Sequence, residues 1–457
     1  MQTTIEGFGV SYAMSMYPWI CSNVLLPFSD LILGQKVSER LNQLRGFQWK
    51  STDEIDRYRD RRVAELLSKA SGCVPYYAEV FKQRNLNRDS IRTVGDLCKL
   101  PILDKKTIRE QSDNLLDSSY RGKKIKMMSS GSTGTQTTVW TDPSCMDEVF
   151  ATQLLFWEWG GFQLGKAHLQ TGMSIRRGVL KGVKDFVFRC SYVSAFGLRD
   201  QELKTMVERI DRYKINAIFG YASSIYVLAK FMESSGQTRS MKSIFTWGDS
   251  LFPHYRELIE RVFQCKVNDC YGLGEGLQCA AQCELHQGLH EAMHGVVVEI
   301  LDSDGQPLPI GELGRVVVTR LDHGCMPLIR YDTGDVASFL PERCSCGRNL
   351  KLISRIQGRA TDIVSTPSGD RLIVHFFTQL FEMIPQIVHF QVRQEQSDRI
   401  KILYVPAVDF TPDLLVKLKT QILENCTYPL EIDFVPVAEI PLEKSNKRRF
   451  VISNVPI

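Results

Sequence analysis

Apolar residues along this chain fall into helical stripes and short continuous runs that alternate. Ile55, Val63, Leu66 and Leu67 share one side of a helix predicted over 51–70, with Ser51 or Thr52 to cap it and Glu54 in its first turn. Asp142-Pro143 opens another, with Val149, Leu154, Leu155 and Phe156 as its expected buried face. Helical patterns at 202–213, 225–232 and 255–263 then alternate with strand-like runs at 217–219, 244–247 and 266–270. Such alternation predicts βαβ units around a parallel sheet. The texture changes after 290, where 296–301 and 315–320 read as strands separated by the turn Asp302-Ser-Asp-Gly305. From 358 the pattern is α+β, with helices near 374–384 and 411–424 and strands at 386–393, 399–405 and 430–436. The expected fold is α/β. A large N-terminal domain of βα layers with a β-rich subregion spans 1–357, and a small C-terminal α+β domain spans 358–457, with the boundary at 357–362.

The first 50 residues read as an arm. Residues 9–34 are rich in apolar side chains, but Pro18, Pro27 and Asp30 interrupt them. No clean run of about 18 apolar residues exists, so no integral membrane segment is expected. A basic leader is missing before it, which argues against a secretory signal. The segment has no basic amphipathic face, so packing on the enzyme body is favoured; the alternative is a peripheral membrane contact. At 457 residues the chain calls for at least two domains. A net charge of +4 is too small to argue for nucleic acid. Thirteen cysteines, odd in number and scattered, do not form the pattern of a secreted disulfide scaffold, so a reducing cytoplasm is the expected setting. Nothing in composition excludes an oligomer.

The chemistry concentrates first in residues 128–138, MSSGSTGTQTT. Gly131 and Gly134 let the backbone bend and approach a ligand closely. The hydroxyls of Ser129, Ser130, Ser132, Thr133 and Thr135, together with backbone N–H groups, can donate to phosphate oxygens. The loop lacks the Gly-Lys-Ser/Thr ending of a Walker A motif. Alone it would be an ordinary polar linker. Four motifs follow it in order: Tyr271-Gly-Leu-Gly-Glu275, Ile329-Arg-Tyr-Asp-Thr-Gly-Asp335, Gly358-Arg359-Ala-Thr-Asp362 and Ser445-Asn-Lys447.

This ordered set, which runs from about 127 to 449, resembles the adenylate-forming superfamily of acyl-CoA synthetases, nonribosomal adenylation domains and luciferases. Cys325-Met-Pro-Leu-Ile-Arg-Tyr-Asp-Thr-Gly-Asp335 and Cys344-Ser-Cys346-Gly-Arg348 narrow the resemblance to the phenylacetate–CoA ligases and their relatives from polysaccharide gene clusters. The resemblance implies that Glu275 helps hold Mg²⁺ beside the phosphates of ATP and that Tyr271, with Gly272, lies near the adenine. It implies that Asp335 accepts the ribose hydroxyls, a task suited to a carboxylate presented by the turn at Gly334. Gly248 and Asp249 match a segment along the adenine. Many relatives have arginine where Asp332 stands, and Arg330 is a candidate to carry that charge. Arg359 would contact the nucleotide at a hinge near Thr361. Lys447 would reach from a mobile C-terminal domain to the substrate carboxylate, with Asn446 in place of the glycine common in relatives.

Cys283, His290, Cys344 and Cys346 offer three thiolates and an imidazole for a closed, structural Zn²⁺ site, with His286 and His294 as competing ligands. Tyr221–Ser224, Phe196-Gly197 and Trp247 are candidates for an acyl pocket. The function implied is ATP-dependent activation of a small carboxylic acid as acyl-AMP, then transfer to coenzyme A. One alternative passes the acyl group to an amine or a carrier. A second is a nucleotide-binding protein without catalysis.

Overall fold

The computed structural model describes residues 16–87, 90–129, 137–172, 178–195, 200–357, 363–368, 371–373, 377, 380–381, 384, 386–426, 429–440 and 449–455. Eight strands form the main sheet, in the order Leu352–Ile353, Leu289–Glu291, Leu277–Gln282, Val267–Leu273, Ser243–Trp247, Ala217–Tyr221, His168–Gly172 and Cys190–Ser194. The last five pair in parallel. The other pairings, beginning with Cys270 against Ala281, are antiparallel. Helices Asp200–Arg212, Ala222–Ser234 and Pro253–Phe263 connect the parallel strands, close to their expected bounds. Ile218, Phe219, Ile244 and Phe245 are fully buried. Both faces of these strands are covered, so their runs are continuously apolar instead of alternating.

The long helix Thr52–Cys73 starts at a capping box: the Ser51 side chain accepts from the Glu54 N–H, and the Glu54 carboxylate accepts from the Ser51 N–H. Its inner stripe includes Arg59, which is buried and donates to the buried Glu291 at 2.6 Å. Helix Pro143–Trp159 is capped by Asp142, which accepts from the Cys145 N–H at 3.1 Å. Leu155 and Phe156 are buried as expected, but Val149 and Leu154 are only half-buried. The buried face runs instead through Ala151, Thr152, Trp157 and Trp159, because this helix packs against both the main sheet and the helix Val37–Phe47.

Strands Val296–Leu301, Gly314–Arg320 and Tyr331–Ala337 form a separate antiparallel sheet, the expected β-rich subregion. In the C-terminal unit, strands Glu431–Pro436, Arg399–Pro406, Ile387–Gln396 and Val451–Ser453 form a four-stranded sheet. Helix Asp413–Leu423 buries Leu418 and Ile422 in the same core. The closing strand, parallel to Ile387–Gln396, escaped the sequence pattern. Most of the helix expected near 374–384, and residues 358–362 of the boundary, lie outside the described residues. Phe252 of the larger unit joins this C-terminal core, with the Phe450 ring 6.2 Å away.

The arm packs on the body of the protein along one side. Met16–Leu33 is a run of helical segments interrupted by one π turn at Cys21–Leu25. By length and composition alone it is apolar enough to cross a membrane, and only 22% of it is buried. Pro27 is accommodated at the start of a new helical segment, where its missing N–H costs nothing. The arm therefore packs along one edge only.

His294 is a buried histidine whose Nε2 lies 2.8 Å from the Thr152 hydroxyl. Burial pushes its pKa down from 6.5 to about 4. A depressed folded-state pKa stabilises above the unfolded value and is lost as pH falls toward the folded one. Relative to wild type, His294→Gln should therefore remove about 2 kcal/mol of the stability lost between pH 7 and pH 5. Urea unfolding at the two pH values checks this; an unchanged pH dependence would contradict it.

Candidate functional site

Two sequence motifs 60 residues apart meet side by side. Strand Val267–Leu273 ends in the turn that carries Glu275, and strand Tyr331–Ala337 carries Asp335. The Tyr271 hydroxyl donates to Asp335 Oδ2 at 2.7 Å. The Tyr331 hydroxyl donates to Glu275 Oε1. Each motif thus contributes one tyrosine and one carboxylate, and each tyrosine binds the other motif's acid. Burial, then the adjoining carboxylate, raises the pKa of both tyrosines, so both stay neutral donors.

Glu275 is only 4% exposed, which rules out a solvated turn acid. Asp335 is half-buried, at a turn set by its neighbours. The Gly334 N–H donates to Asp332 Oδ1 at 2.9 Å and the Asp335 N–H to the Thr333 hydroxyl at 3.1 Å. Gly334 has φ +79, a left-handed conformation that favours glycine.

Three of the expected residues already have protein partners. Tyr271 is buried with its hydroxyl on Asp335, and in the turn that follows Gly272 and Leu273 are half-buried and Gly274 is exposed. Asp249 accepts the N–H groups of Ala222 and Ser223 at 2.7 and 3.1 Å, holding the start of helix Ala222–Ser234. Arg330 cannot stand in for the missing arginine. It is buried, paired with Glu299 at 3.0 Å, and donates to the Leu100 carbonyl at 2.7 Å. Asp332 itself pairs with Arg315.

A cavity of about 210 Å³ opens at the carboxyl ends of the parallel strands, where open α/β sheets commonly bind ligands. Trp157, Tyr221 and Trp247 supply aromatic walls, Gly248 and Gly272 backbone, and Gln153 and Gln278 amides. Gly248 has φ +81, and a Cβ there would lie 2.5 Å from the Tyr221 ring. Tyr221 and Trp247 were expected in this wall. Ser224 is instead buried against Thr171, and Phe196 and Gly197 lie outside the described residues.

The hydroxyl-rich loop joins an antiparallel hairpin, Ile125–Ser129 and Thr137–Thr141, with Ser129 paired to Thr137. Ser130, Gly131, Ser132, Thr133, Gly134 and Thr135 lie outside the described residues, as do Arg359, Thr361 and Lys447. The hairpin abuts the acidic turn: a Cβ at Gly276 would lie 3.6 Å from Met127 Cε. Two cations escaped the sequence reading. Arg109 donates to the Thr137 hydroxyl at 2.9 Å, and Lys105 donates to the Thr333 carbonyl at 3.1 Å. Both belong to helix Lys105–Glu110, which lies near the motifs because Leu103 pairs with Tyr331.

The cysteine–histidine set assembles as expected. Ligand atoms of Cys283, His290, Cys344 and Cys346 all lie within 4.8 Å of one another. Cys283 Sγ is 3.6 Å from Cys344 Sγ, and Cys346 Sγ is 3.4 Å from His290 Nε2. Tetrahedral zinc with Zn–S near 2.3 Å would separate two sulfurs by about 3.8 Å, so the donor set fits. Burial, then Arg348, pushes the His290 pKa down to about 4, leaving a neutral imidazole. Burial opposes ionisation of Cys346, but hydrogen bonds from the Arg348 backbone and guanidinium and from Cys344 hold its thiol below the ordinary value. His286 and His294 stand outside the set; His294 bonds Thr152 instead.

Residues 364–454 match the CapK C-terminal domain. The protein CapK of Staphylococcus aureus is 24% identical over 429 residues, covering 89% of this chain and 91% of that protein. A phenylacetate–coenzyme A ligase of Thermus thermophilus is 24% identical over 435 residues, covering 88% and 96%. Among solved structures, a 2-hydroxyisobutyryl-CoA ligase in the postadenylation state, in complex with R3-HIB-AMP, superposes with a TM-score of 0.69 at 16% identity, over 89% of this chain and 91% of that one.

Removing the Tyr331 hydroxyl leaves the buried Glu275 oxygen without its donor. Tyr331→Phe should cost about 1–3 kcal/mol of unfolding free energy, and Tyr271→Phe less, because Asp335 is closer to water. Denaturant titrations give the order, and the reverse order would contradict the paired-motif geometry.

Proposed function

We propose that this chain is an AMP-forming acyl-CoA ligase of the adenylate-forming superfamily, similar to the phenylacetate–CoA ligases and CapK. The observation that carries this is the meeting of Glu275 and Asp335 beside both the hairpin and the cavity. Mg²⁺ prefers one or two carboxylates plus phosphate oxygens, and Glu275 is the acid placed to supply one. Asp335, presented at its turn, is the acceptor for two ribose hydroxyls. The cavity takes the acyl group, and its aromatic walls suit a small aryl acid.

In the first step a carboxylate oxygen attacks the α-phosphorus of ATP and pyrophosphate leaves. Both reactants are anionic, so the step depends on cations and close positioning. Lys447 would supply one cation and Arg359 would contact the nucleotide, while a magnesium ion held by Glu275 would neutralise phosphate charge. In the second step the thiol of coenzyme A attacks the acyl carbonyl, loses its proton and displaces AMP. The C-terminal domain, 358–457, turns between the two steps, withdrawing Lys447 and parting the contact between Phe252 and Phe450. A bound Zn²⁺ would tie Leu289–Glu291 to the Cys344–Cys346 knuckle. It would be structural, because all four positions are protein ligands.

Wild-type protein with Mg²⁺ and a panel of carboxylic acids should convert ATP to AMP and pyrophosphate with one acid class, and coenzyme A should yield its thioester. AMP formation indifferent to every acid would sink the proposal; acyl transfer to an amine instead would move the acceptor only. Lys447→Ala should abolish adenylate formation yet spare thioester formation from supplied acyl-AMP, and equal loss of both with the fold intact would contradict the two-step domain motion. Metal analysis should find about one zinc per chain, and Cys346→Ser should lower both zinc content and Tm. Full zinc content in that variant would contradict the ligand set.

A further inference from the structure

Gln153, Phe156 and Trp157 stand at three- and four-residue spacing on helix Pro143–Trp159, so one stripe of that helix lines the cavity. Trp157 stacks on Phe219 with ring centroids 4.3 Å apart, and the Trp247 ring lies 6.3 Å from it at an angle of 22°. These rings hold one another, which makes that wall rigid and flat. Gln278 reaches the same cavity from strand Leu277–Gln282, where it pairs with Gly272. A Cβ at Gly272 would lie 2.8 Å from Gln278 Oε1, so the glycine leaves room for the amide to lie over the neighbouring strand.

Both glutamines are half-buried, and neither amide has a hydrogen-bond partner among the described residues. No charged side chain among the described residues lines the cavity. Its titratable groups stay neutral: burial pushes the Tyr221 phenol up to about 12 and the Cys270 thiol well above its ordinary value.

An apolar cavity of about 150 Å³ holds benzene, so one of about 210 Å³ suits a single ring with a small substituent and not a long chain. An ammonium or a second carboxylate on that ring would lose its water and meet no opposite charge. A bare ring would cover the two amides and leave them without partners. A hydroxyl is donor and acceptor at once, so it can accept from one amide N–H and donate to the other amide's carbonyl.

We propose, on the reading of this cavity as the acyl pocket of a ligase, that Gln153 and Gln278 determine specificity by selecting a single-ring carboxylic acid that carries a neutral hydroxyl substituent. Calorimetric titration with benzoate, phenylacetate and the monohydroxy isomers of each, with AMP present, tests this without turnover. At least one hydroxy acid should bind at least about tenfold more tightly than its parent, because a site built around a hydroxyl rejects the analogue that lacks it. Gln153→Leu and Gln278→Leu should each cut that ratio at least about fivefold. Each should also bind the parent acid more tightly than wild type does, a gain that a misfolded variant would not give. The proposal is overturned if wild type binds none of these acids, if it prefers the bare ring, or if the ratio survives in both variants. It is also overturned if Gln278→Leu weakens binding of ATP with Mg²⁺ and leaves the ratio intact, which would assign that amide to the nucleotide. AMP release with the same acids separates this specificity from the ligase reading. Equal release with parent and hydroxy acids would overturn the specificity and keep the ligase. Hydroxyl-selective binding with no AMP release would support the amide subsite and remove the ligase.

Discussion

The site depends on two hydroxyl–carboxylate bonds, Tyr271 to Asp335 and Tyr331 to Glu275. They are reciprocal, and they join two sheets that share no ladder: the main sheet, through Val267–Leu273, and the three-stranded sheet, through Tyr331–Ala337. Neutral tyrosines are the right donors for this. Buried beside a carboxylate, a phenol keeps its proton, whereas a cation in the same place would neutralise the acid and compete with any metal for it. The carboxylates are held in position while retaining lone pairs for a ligand.

Around that joint the other parts fall into place by chain connectivity. The strand that brings Tyr271 also forms the floor of the cavity through Cys270 and Gly272. Its antiparallel neighbour, Leu277–Gln282, leads directly to Cys283, the first of the four candidate zinc ligands. Arg348 of the knuckle bonds Glu284 at 3.0 Å and Gln48 at 2.8 Å, linking the cysteine–histidine cluster to the N-terminal helices. A zinc site here would stabilise the same strands that present the acids.

Much of this was legible in the sequence, and the parts that were not have physical reasons. The doubly covered strands at 217–221 and 243–247 announce themselves because burial on both faces demands unbroken apolar runs. Cys190–Ser194, the edge strand, and His168–Gly172 beside it do not, because Gln170, Ser191 and Tyr192 interrupt their apolar runs. The four metal-ligand candidates could be named from residue type, and the two acids from the resemblance of their motifs to those of a known superfamily. The bonds of Asp249 to Ala222 and Ser223 were not legible, because an acid after a strand can serve as a ligand contact or hold a neighbouring helix, and sequence shows neither partner. Lys105 and Arg109 carried no signal, since their helix is brought to the site by long-range contacts such as the pairing of Leu103 with Tyr331.

The central claim is that Glu275 and Asp335 serve one nucleotide. A crystal structure of the protein with ATP, Mg²⁺ and no acid tests it most directly. The account predicts the metal on the Glu275 carboxylate and both ribose hydroxyls on Asp335, with the triphosphate running toward the loop after Ser129. A nucleotide bound elsewhere, or one whose sugar and metal engage neither acid, would contradict it.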